Sequence, residues 1–334
     1  MDFGEALQAR GHRIAVVLRP ATPFEDACRE AGFAVYPVSF GPKYNPVAIF
    51  RVARALRKEG AAVAIVNISK DLNVGAVAAK LLGIPVVHRV GLVEDYRGSF
   101  EERLRHRLLV DRVLVPSEYL RAALLDCLSW IRPEQVTVIP NSKRLDRFTL
   151  APGGTGSTVV FGVSSQLSPS KGHTYVFQAL KLVRSRGVDA RLRVAGEGPL
   201  AQALREEAGR GGLEEVVSFL GFRSDMPAFL AELDAYVLPS LKESFSNAVL
   251  EAMCAGLPVA AFAAGGVPEV VGDAGILIPP ANVQALADAL ELLARDRDLR
   301  ARLGQAARRR AAERYDLAVN AGRLEAFLRD VANR

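Results

Sequence analysis

Twice along this chain, short β-branched or aliphatic runs alternate with segments of helical period, and that alternation restricts the fold to α/β: parallel sheets covered by helices. In the first half, Ile14–Leu18, Ala34–Val38, Val63–Asn67, Pro85–Arg89, Arg112–Val115 and Val136–Ile139 predict strands. Helices are expected near Phe24–Ala31, Pro46–Glu59, Asn73–Leu82, Phe100–Leu109 and Glu118–Leu128. Ala151-Pro-Gly-Gly-Thr-Gly-Ser157 then breaks the periodicity with turn formers and reads as a linker. The pattern restarts with strands at Val159–Val163, Arg191–Ala195, Val216–Leu220, Ala235–Leu238, Val259–Phe262 and Gly275–Ile278. It closes with helices over Val283–Ala294, Leu299–Glu313 and Leu317–Ala332. At 334 residues, 50% of them hydrophobic, two domains are expected, 1–150 and 158–316, with 317–334 packing back on the first. Two doubly wound, Rossmann-like domains of this kind would hold ligands at the carboxyl ends of their strands. The start is irregular. Met1–Gly11 reads as the back half of a helix running directly into Ile14–Leu18, so the N-terminal domain reads as lacking its first strand and the glycine-rich turn after it.

Composition narrows the setting. The longest apolar stretches, such as Ala61–Val66 and Leu257–Ala264, fall far short of the ~20 residues a membrane span requires, and no charged-then-apolar leader opens the sequence. Cys28, Cys127 and Cys254 are widely spaced and odd in number, which gives neither a disulfide framework nor metal spacing and suits a reducing cytoplasm. The net charge of +6 and the pI near 9.4 come with no helix-turn-helix, zinc-finger or RNA-binding signature, and the arginine clusters carry no interleaved aromatics. Nucleic acid is therefore not an expected partner. Phe100–Val110 sets apolar residues at helical spacing beside bases; it reads as a solvated helix over a core stripe, with an interfacial helix on the inner face of a membrane as the alternative.

The chemistry concentrates after the strand Ala235–Leu238. Pro239-Ser240 ends it, Leu241-Lys-Glu-Ser-Phe-Ser246 turns, and a helix opens at about Asn247, pointing its dipole and amide groups at an incoming anion. Glu243 lies in the turn and Glu251 on a helix otherwise made of Asn, Ala, Val, Leu, Met and Cys. A carboxylate on an apolar element needs partners, and a vicinal diol supplies two hydroxyl donors. Lys171 follows a Ser-Pro turn and precedes Gly172, a cation at a strand's carboxyl edge. Gly196-Glu-Gly-Pro199 is a weak dinucleotide-loop match and fits better as a close-approach turn. Asp296-Arg-Asp298 resembles a metal-binding acid pair, yet it lies between helices, where aspartates cap. No metal and no cofactor are expected.

With Val138-Ile-Pro-Asn-Ser142, Leu167-Ser-Pro-Ser-Lys-Gly-His173, Val194-Ala-Gly-Glu-Gly-Pro199, Val217-Ser-Phe-Leu-Gly-Phe222, the Glu243 to Glu251 segment and Gly265-Gly-Val-Pro-Glu-Val-Val271, most of the chain resembles family 4 of the glycosyltransferases. The resemblance implies the GT-B fold and retaining transfer of a sugar from a nucleoside-diphosphate sugar to a glycan, lipid-linked or small-molecule hydroxyl. It implies that Glu243 contacts the sugar, that Glu251 holds the ribose and that Lys171 neutralises the diphosphate. It also places Gln166, Gly196, Phe222, Arg223, Ser244, Phe245, Ser246 and Asn247 about the donor. Two positions depart from the family pattern: Gln166 stands where arginine is usual, and Gly91 where a histidine is usual. His88, or Arg89, is the candidate to reach the sugar instead, with a core position, which the strand alternation favours, as the equal alternative for His88. A sugar-nucleotide epimerase, with His88 set against Glu94 or Asp95, and an inactive sugar-nucleotide-binding paralogue are the rival readings.

Overall fold

The computed structural model describes residues 1–92, 96, 98–150 and 158–333. The expected linker at 151–157, and Glu94 and Asp95, lie outside them. The chain forms two compact units, Met1–Ser142 with Leu317–Arg334, and Lys143–Asp316.

The second unit is a six-stranded parallel sheet: β7 (Val159–Ser164), β8 (Ala190–Ala195), β9 (Val217–Gly221), β10 (Ala235–Leu238), β11 (Val259–Phe262) and β12 (Gly275–Ile278), in the order β12-β11-β10-β7-β8-β9. The chain winds outward from β7 to β9, returns beside β7 as β10, and winds outward the other way. The switch point therefore lies between β7 and β10, where open α/β sheets bind ligands. All residues of β10 and β11 are buried, as apolar runs covered on both faces must be. In β8 the alternating Arg191 and Arg193 leave the core while Leu192 and Val194 enter it.

Residues 143–150 belong to this unit, eight residues ahead of the expected boundary. Lys143 donates its amide to the Tyr315 carbonyl, the Arg308 guanidinium donates to the carbonyls of Leu145 and Phe148, and Phe148 is buried in the second unit's core. Asp296 accepts the Leu299 amide at 2.7 Å as the cap of the helix Arg297–Tyr315.

In the first unit β1 (Ala15–Leu18) and β2 (Ala34–Pro37) form a parallel pair, while β3 (Ala64–Val66), β4 (Val86–Arg89), β5 (Arg112–Val115) and β6 (Val136–Val138) form a four-stranded parallel sheet. The expected single sheet is thus two sheets, with no strand joining them among the described residues. A helix, Asp2–Ala9, precedes β1. The helix Leu317–Ala332 packs in this unit: Leu324 and Val331 join Leu7, Val87 and Leu114, and Glu325 pairs with Arg10 and His12.

The helix Phe100–Leu109 corrects the expected core stripe. Arg105 and His106 are buried, the Arg105 guanidinium donating to Asn73 and Ser69, whereas Phe100, Leu104 and Leu108 are exposed. Burial is possible for Arg105 because polar partners await it, so the apolar residues at i, i+4 and i+8 face outward.

Candidate functional site

Three turns of the second unit converge at the switch point. After β7, Ser168–Gly172 makes a tight turn; after β10 comes 239–246; after β11 comes 263–266. Gly172 has φ +67°, and a Cβ there would stand 2.1 Å from the Pro239 carbonyl oxygen. Only glycine lets the two turns touch. The Leu241 amide bonds to the Ser170 carbonyl at 2.8 Å and the Gly266 amide to the Glu243 carbonyl at 2.9 Å, which holds Glu243 between its neighbours.

Two cation–carboxylate pairs result. Lys171 Nζ donates to Glu243 Oε1 at 2.7 Å, with both side chains largely enclosed. Glu251 Oε1 lies 2.8 Å from Lys143 Nζ, also largely enclosed. The carboxylate on the apolar helix Asn247–Cys254 thus has its partner. Lys143 was not singled out from the sequence; the only signal was a base directly after Val138-Ile-Pro-Asn-Ser142.

Tyr236 is the one polar residue of β10 and is fully buried. Its hydroxyl donates to the Ser164 carbonyl and accepts from the Ser164 amide, both at 3.1 Å, tying β10 to the end of β7. Burial drives its pKa up, and the negative charges of Glu251 and Glu243 raise it further, so both carboxylates act on this phenol. Burial likewise pushes the Cys254 thiol up to about 12. His173 opens the helix His173–Ser185 and bonds through Nε2 with Ser165 Oγ at 3.2 Å; burial first, then the Lys171 charge, lowers its pKa to about 4, leaving the ring neutral.

The other sequence candidates distribute themselves around this centre. Ser246 caps the helix Asn247–Cys254 by accepting the Val249 amide, so the helix directs its first-turn amides outward beside the pairs. Ser244 is buried and Asn247 exposed. Phe245 is buried edge-on against Tyr315, with ring centres 5.8 Å apart, and its side chain packs the unit's core. Gln166 is exposed, two residues past the end of β7 in the segment that leads into the Ser168–Gly172 turn. Gly196 (φ +141°) lies against that turn: a Cβ would fall 2.0 Å from the Ser165 carbonyl oxygen. The close approach expected of this glycine is to Ser165–Leu167, which the Gly196-Glu-Gly198 turn also binds through the Leu167 amide and the Glu197 carbonyl. Phe222 is exposed, its amide reaching Glu197. Arg223 lies 3.9 Å from Glu232 and is not brought to Lys171.

His88 requires correction. It lies on β4 in the first unit, wholly buried, with Nδ1 2.6 Å from the Tyr96 hydroxyl. Burial, with the charges of His106 and Arg105, lowers its pKa to about 3. The alternation of β4 turns this ring into the core, so its placement does not support contact with a sugar. Arg89, the next residue and partly exposed, donates to Asn141 at 2.8 Å.

Residues 153–310 match the family of glycosyl transferases group 1, and residues 1–142 match the glycosyl transferase 4-like domain. The phosphatidyl-myo-inositol mannosyltransferase of Mycobacterium leprae is 30% identical over 99% of this chain and 92% of its own length. The chain belongs to glycosyltransferase family 4. A putative glycosyltransferase of Bacillus subtilis, EpsF, is 27% identical to this family 4 glycosyltransferase over 72% of the chain and 67% of the relative. Other curated relatives are matched over 44% to 63% of their length. Among solved structures, Anabaena Alr3699/HepE in complex with UDP and glucose superposes with a TM-score of 0.84, at 23% identity, over 98% of this chain and 94% of that one. The likeness is one of fold, and the fold is GT-B. Among the described residues of this glycosyltransferase no cluster of metal-binding side chains occurs, and no helix is long and apolar enough to cross a membrane.

Proposed function

We propose that this glycosyltransferase moves a sugar, with retention, from a nucleoside-diphosphate sugar to a carbohydrate or lipid-linked hydroxyl, without a metal or other cofactor. The observation that carries the reading is the pairing of Lys171 with Glu243 and of Lys143 with Glu251 around the switch point. A diphosphate competes with Glu243 for the Lys171 ammonium, and Glu243, so released, accepts from the sugar hydroxyls. Glu251 accepts from the ribose diol, with Lys143 offsetting its charge. As the bond from the anomeric carbon to the diphosphate oxygen breaks, Lys171, the Gln166 amide and the first-turn amides of Asn247–Cys254 stabilise the departing anion. This is electrostatic catalysis by groups placed in advance. The acceptor oxygen attacks the face that the diphosphate leaves, and its proton passes to a phosphate oxygen. Glutamine at 166 still donates to a phosphate oxygen but brings no positive charge, so it stabilises the leaving group less than the arginine usual in the family would.

The test is release of nucleoside diphosphate from candidate sugar nucleotides, with and without acceptor and with chelator present. Lys171→Ala or Glu243→Ala should lower turnover by at least about two orders of magnitude, the scale of one lost transition-state contact. A near-normal rate in either variant defeats the assignment, and chelator-sensitive turnover defeats the metal-free reading.

The acceptor side of the proposal rests on the exposed stripe Phe100, Leu104 and Leu108, flanked by the exposed Arg103 and Arg107. Apolar residues between bases suit the headgroup zone of an anionic membrane, with the chain acting from the cytoplasmic side. The naming of the Mycobacterium leprae relative for phosphatidylinositol agrees with a lipid-linked acceptor.

A further inference from the structure

Arg105, Arg112 and Arg300 are enclosed guanidiniums with two or more partners each. Arg105 donates to Asn73 and Ser69 and has Glu102 3.7 Å away; Arg112 reaches the Glu134 carbonyl and Asp330; Arg300 donates to the carbonyls of Leu293 and Ala294. Arg89 differs. Half-buried on β4, it makes one hydrogen bond, from Nη2 to Asn141 Oδ1 at 2.8 Å, and among the described residues no carboxylate lies within ion-pair range of it. Burial lowers its pKa, and no nearby acid raises it again. The register shows where this cation stands. Arg89 is the last residue of β4 and pairs with Leu114 of β5, whereas Asn141 lies three residues past the end of β6, on the far side of β5. A side chain that joins them spans the carboxyl end of β5, the edge at which open α/β sheets bind ligands. Two features of that edge favour an anion. The helix Glu118–Cys127 opens there after Pro116-Ser117, with Ser117 accepting the Leu120 amide, so the positive end of its dipole adjoins the edge. Glu118 in its first turn is paired with Arg121 at 3.6 Å. Among the described residues a Cβ on Gly91, two positions beyond Arg89, would meet nothing within 4 Å, so the approach beside the guanidinium is open.

We propose that Arg89 anchors a phosphate ester carried by the acceptor, which forms the ion pair that this cation otherwise lacks. The inference rests on the proposed transfer to an acceptor hydroxyl and names the class of molecule that bears it. A partly desolvated charge needs an opposite one, and the tether to Asn141 holds the guanidinium in place before the ligand arrives. Most of its N–H donors remain for paired bonds to one oxyanion, in the fork geometry that phosphate matches. An uncharged acceptor would leave the cation unpaired and is disfavoured on that ground.

The test titrates the full chain with inorganic phosphate, with glycerol 3-phosphate as a free ester and with phosphatidic acid vesicles as a lipid-borne one. Phosphate at about ten times its Kd should raise the melting temperature by roughly 2 °C or more. Arg89→Met should weaken phosphate binding at least about tenfold, and Arg89→Lys, which keeps the charge without the fork, should fall between the two. Unchanged binding in Arg89→Met, or binding of none of the three probes by the wild type, overturns the proposal. Because an enclosed cation without a counter-charge is costly, Arg89→Met should melt no lower than the wild type when no anion is present. A variant that melts lower or fails to fold shows that Arg89 is a structural group, and that too overturns the proposal. UDP and GDP should bind the wild type and Arg89→Met within a factor of about two of each other; a loss parallel to that of phosphate makes the donor diphosphate the anion and defeats the acceptor assignment. Arg89-dependent binding of the free ester supports a soluble acceptor, and such binding of the vesicles alone supports a lipid-borne one. None of these measurements reads sugar transfer, so the phosphate site stands or falls apart from the donor reading.

Discussion

Lys143 and Tyr236 hold the proposed donor side together without any local motif that marks them. Lys143→Met leaves the Glu251 carboxylate without its cation at the proposed ribose position, and we expect the donor KM to rise about tenfold, some 1.4 kcal/mol, with kcat within a factor of about three. An unchanged KM would remove Lys143 from the site. Tyr236→Phe strips a buried amide and carbonyl of Ser164 of their partner, at a cost of about 1–3 kcal/mol by chemical denaturation. Glu243, Glu251 and Lys171 could be nominated from the chain because their neighbours carry the family's motifs and because an acid on an apolar helix demands a partner, and the structure brings Lys171 to Glu243. Lys143 was not: it lies 108 residues from Glu251, and nothing local marks a lysine as an ion-pair partner. For His88 the sequence left a sugar contact and a core position equally open, with strand alternation favouring the core, and the packing against Tyr96 and His106 gives the core position.

Elements were the most readable scale, because hydrophobic period and turn chemistry act locally. All twelve expected strands form, with ends shifted by a residue or so, and Pro46–Glu59 begins and ends where expected, at the Asn45 cap and the left-handed Gly60. What the period did not decide is direction. Phe100–Leu109 is a helix as expected, yet its apolar stripe faces outward because Arg105 found Asn73 and Ser69 inside. Replacing Phe100, Leu104 and Leu108 together by Ser should leave the fold intact and reduce cosedimentation with anionic vesicles at least about tenfold; undiminished binding would dismiss the membrane face. At the turns, Gly172→Ala places a Cβ against the Pro239 carbonyl and forces a left-handed alanine. We expect a loss of about 1–3 kcal/mol in the melting curve and reduced turnover as Lys171 and Glu243 separate.

Across the whole molecule, buried neutral histidines make stability depend on pH. His88, His106 and His173 have folded-state pKa values of about 3, 4 and 4, below the ordinary 6.5, because burial disfavours the imidazolium. Below pH 6.5 the unfolded chain takes up protons that the folded chain refuses. Stability is therefore complete above about pH 6.5 and declines as the pH falls toward 4. Melting temperatures at intervals from pH 8 to pH 4.5 should fall steadily below pH 6.5, and a flat profile would contradict the burial of these rings. By itself, the sequence determined the α/β class, the order of the elements and the family, and it nominated Glu243, Glu251 and Lys171 as site residues, all from local pattern and short motifs. Only the tertiary structure decided the domain boundary at Lys143, the split of the first unit's strands into two sheets, the Lys143–Glu251 pair and the face that Phe100 presents. Each of these depends on which distant groups are available to satisfy a buried charge or an unpaired strand edge, and that information is spread over the whole chain.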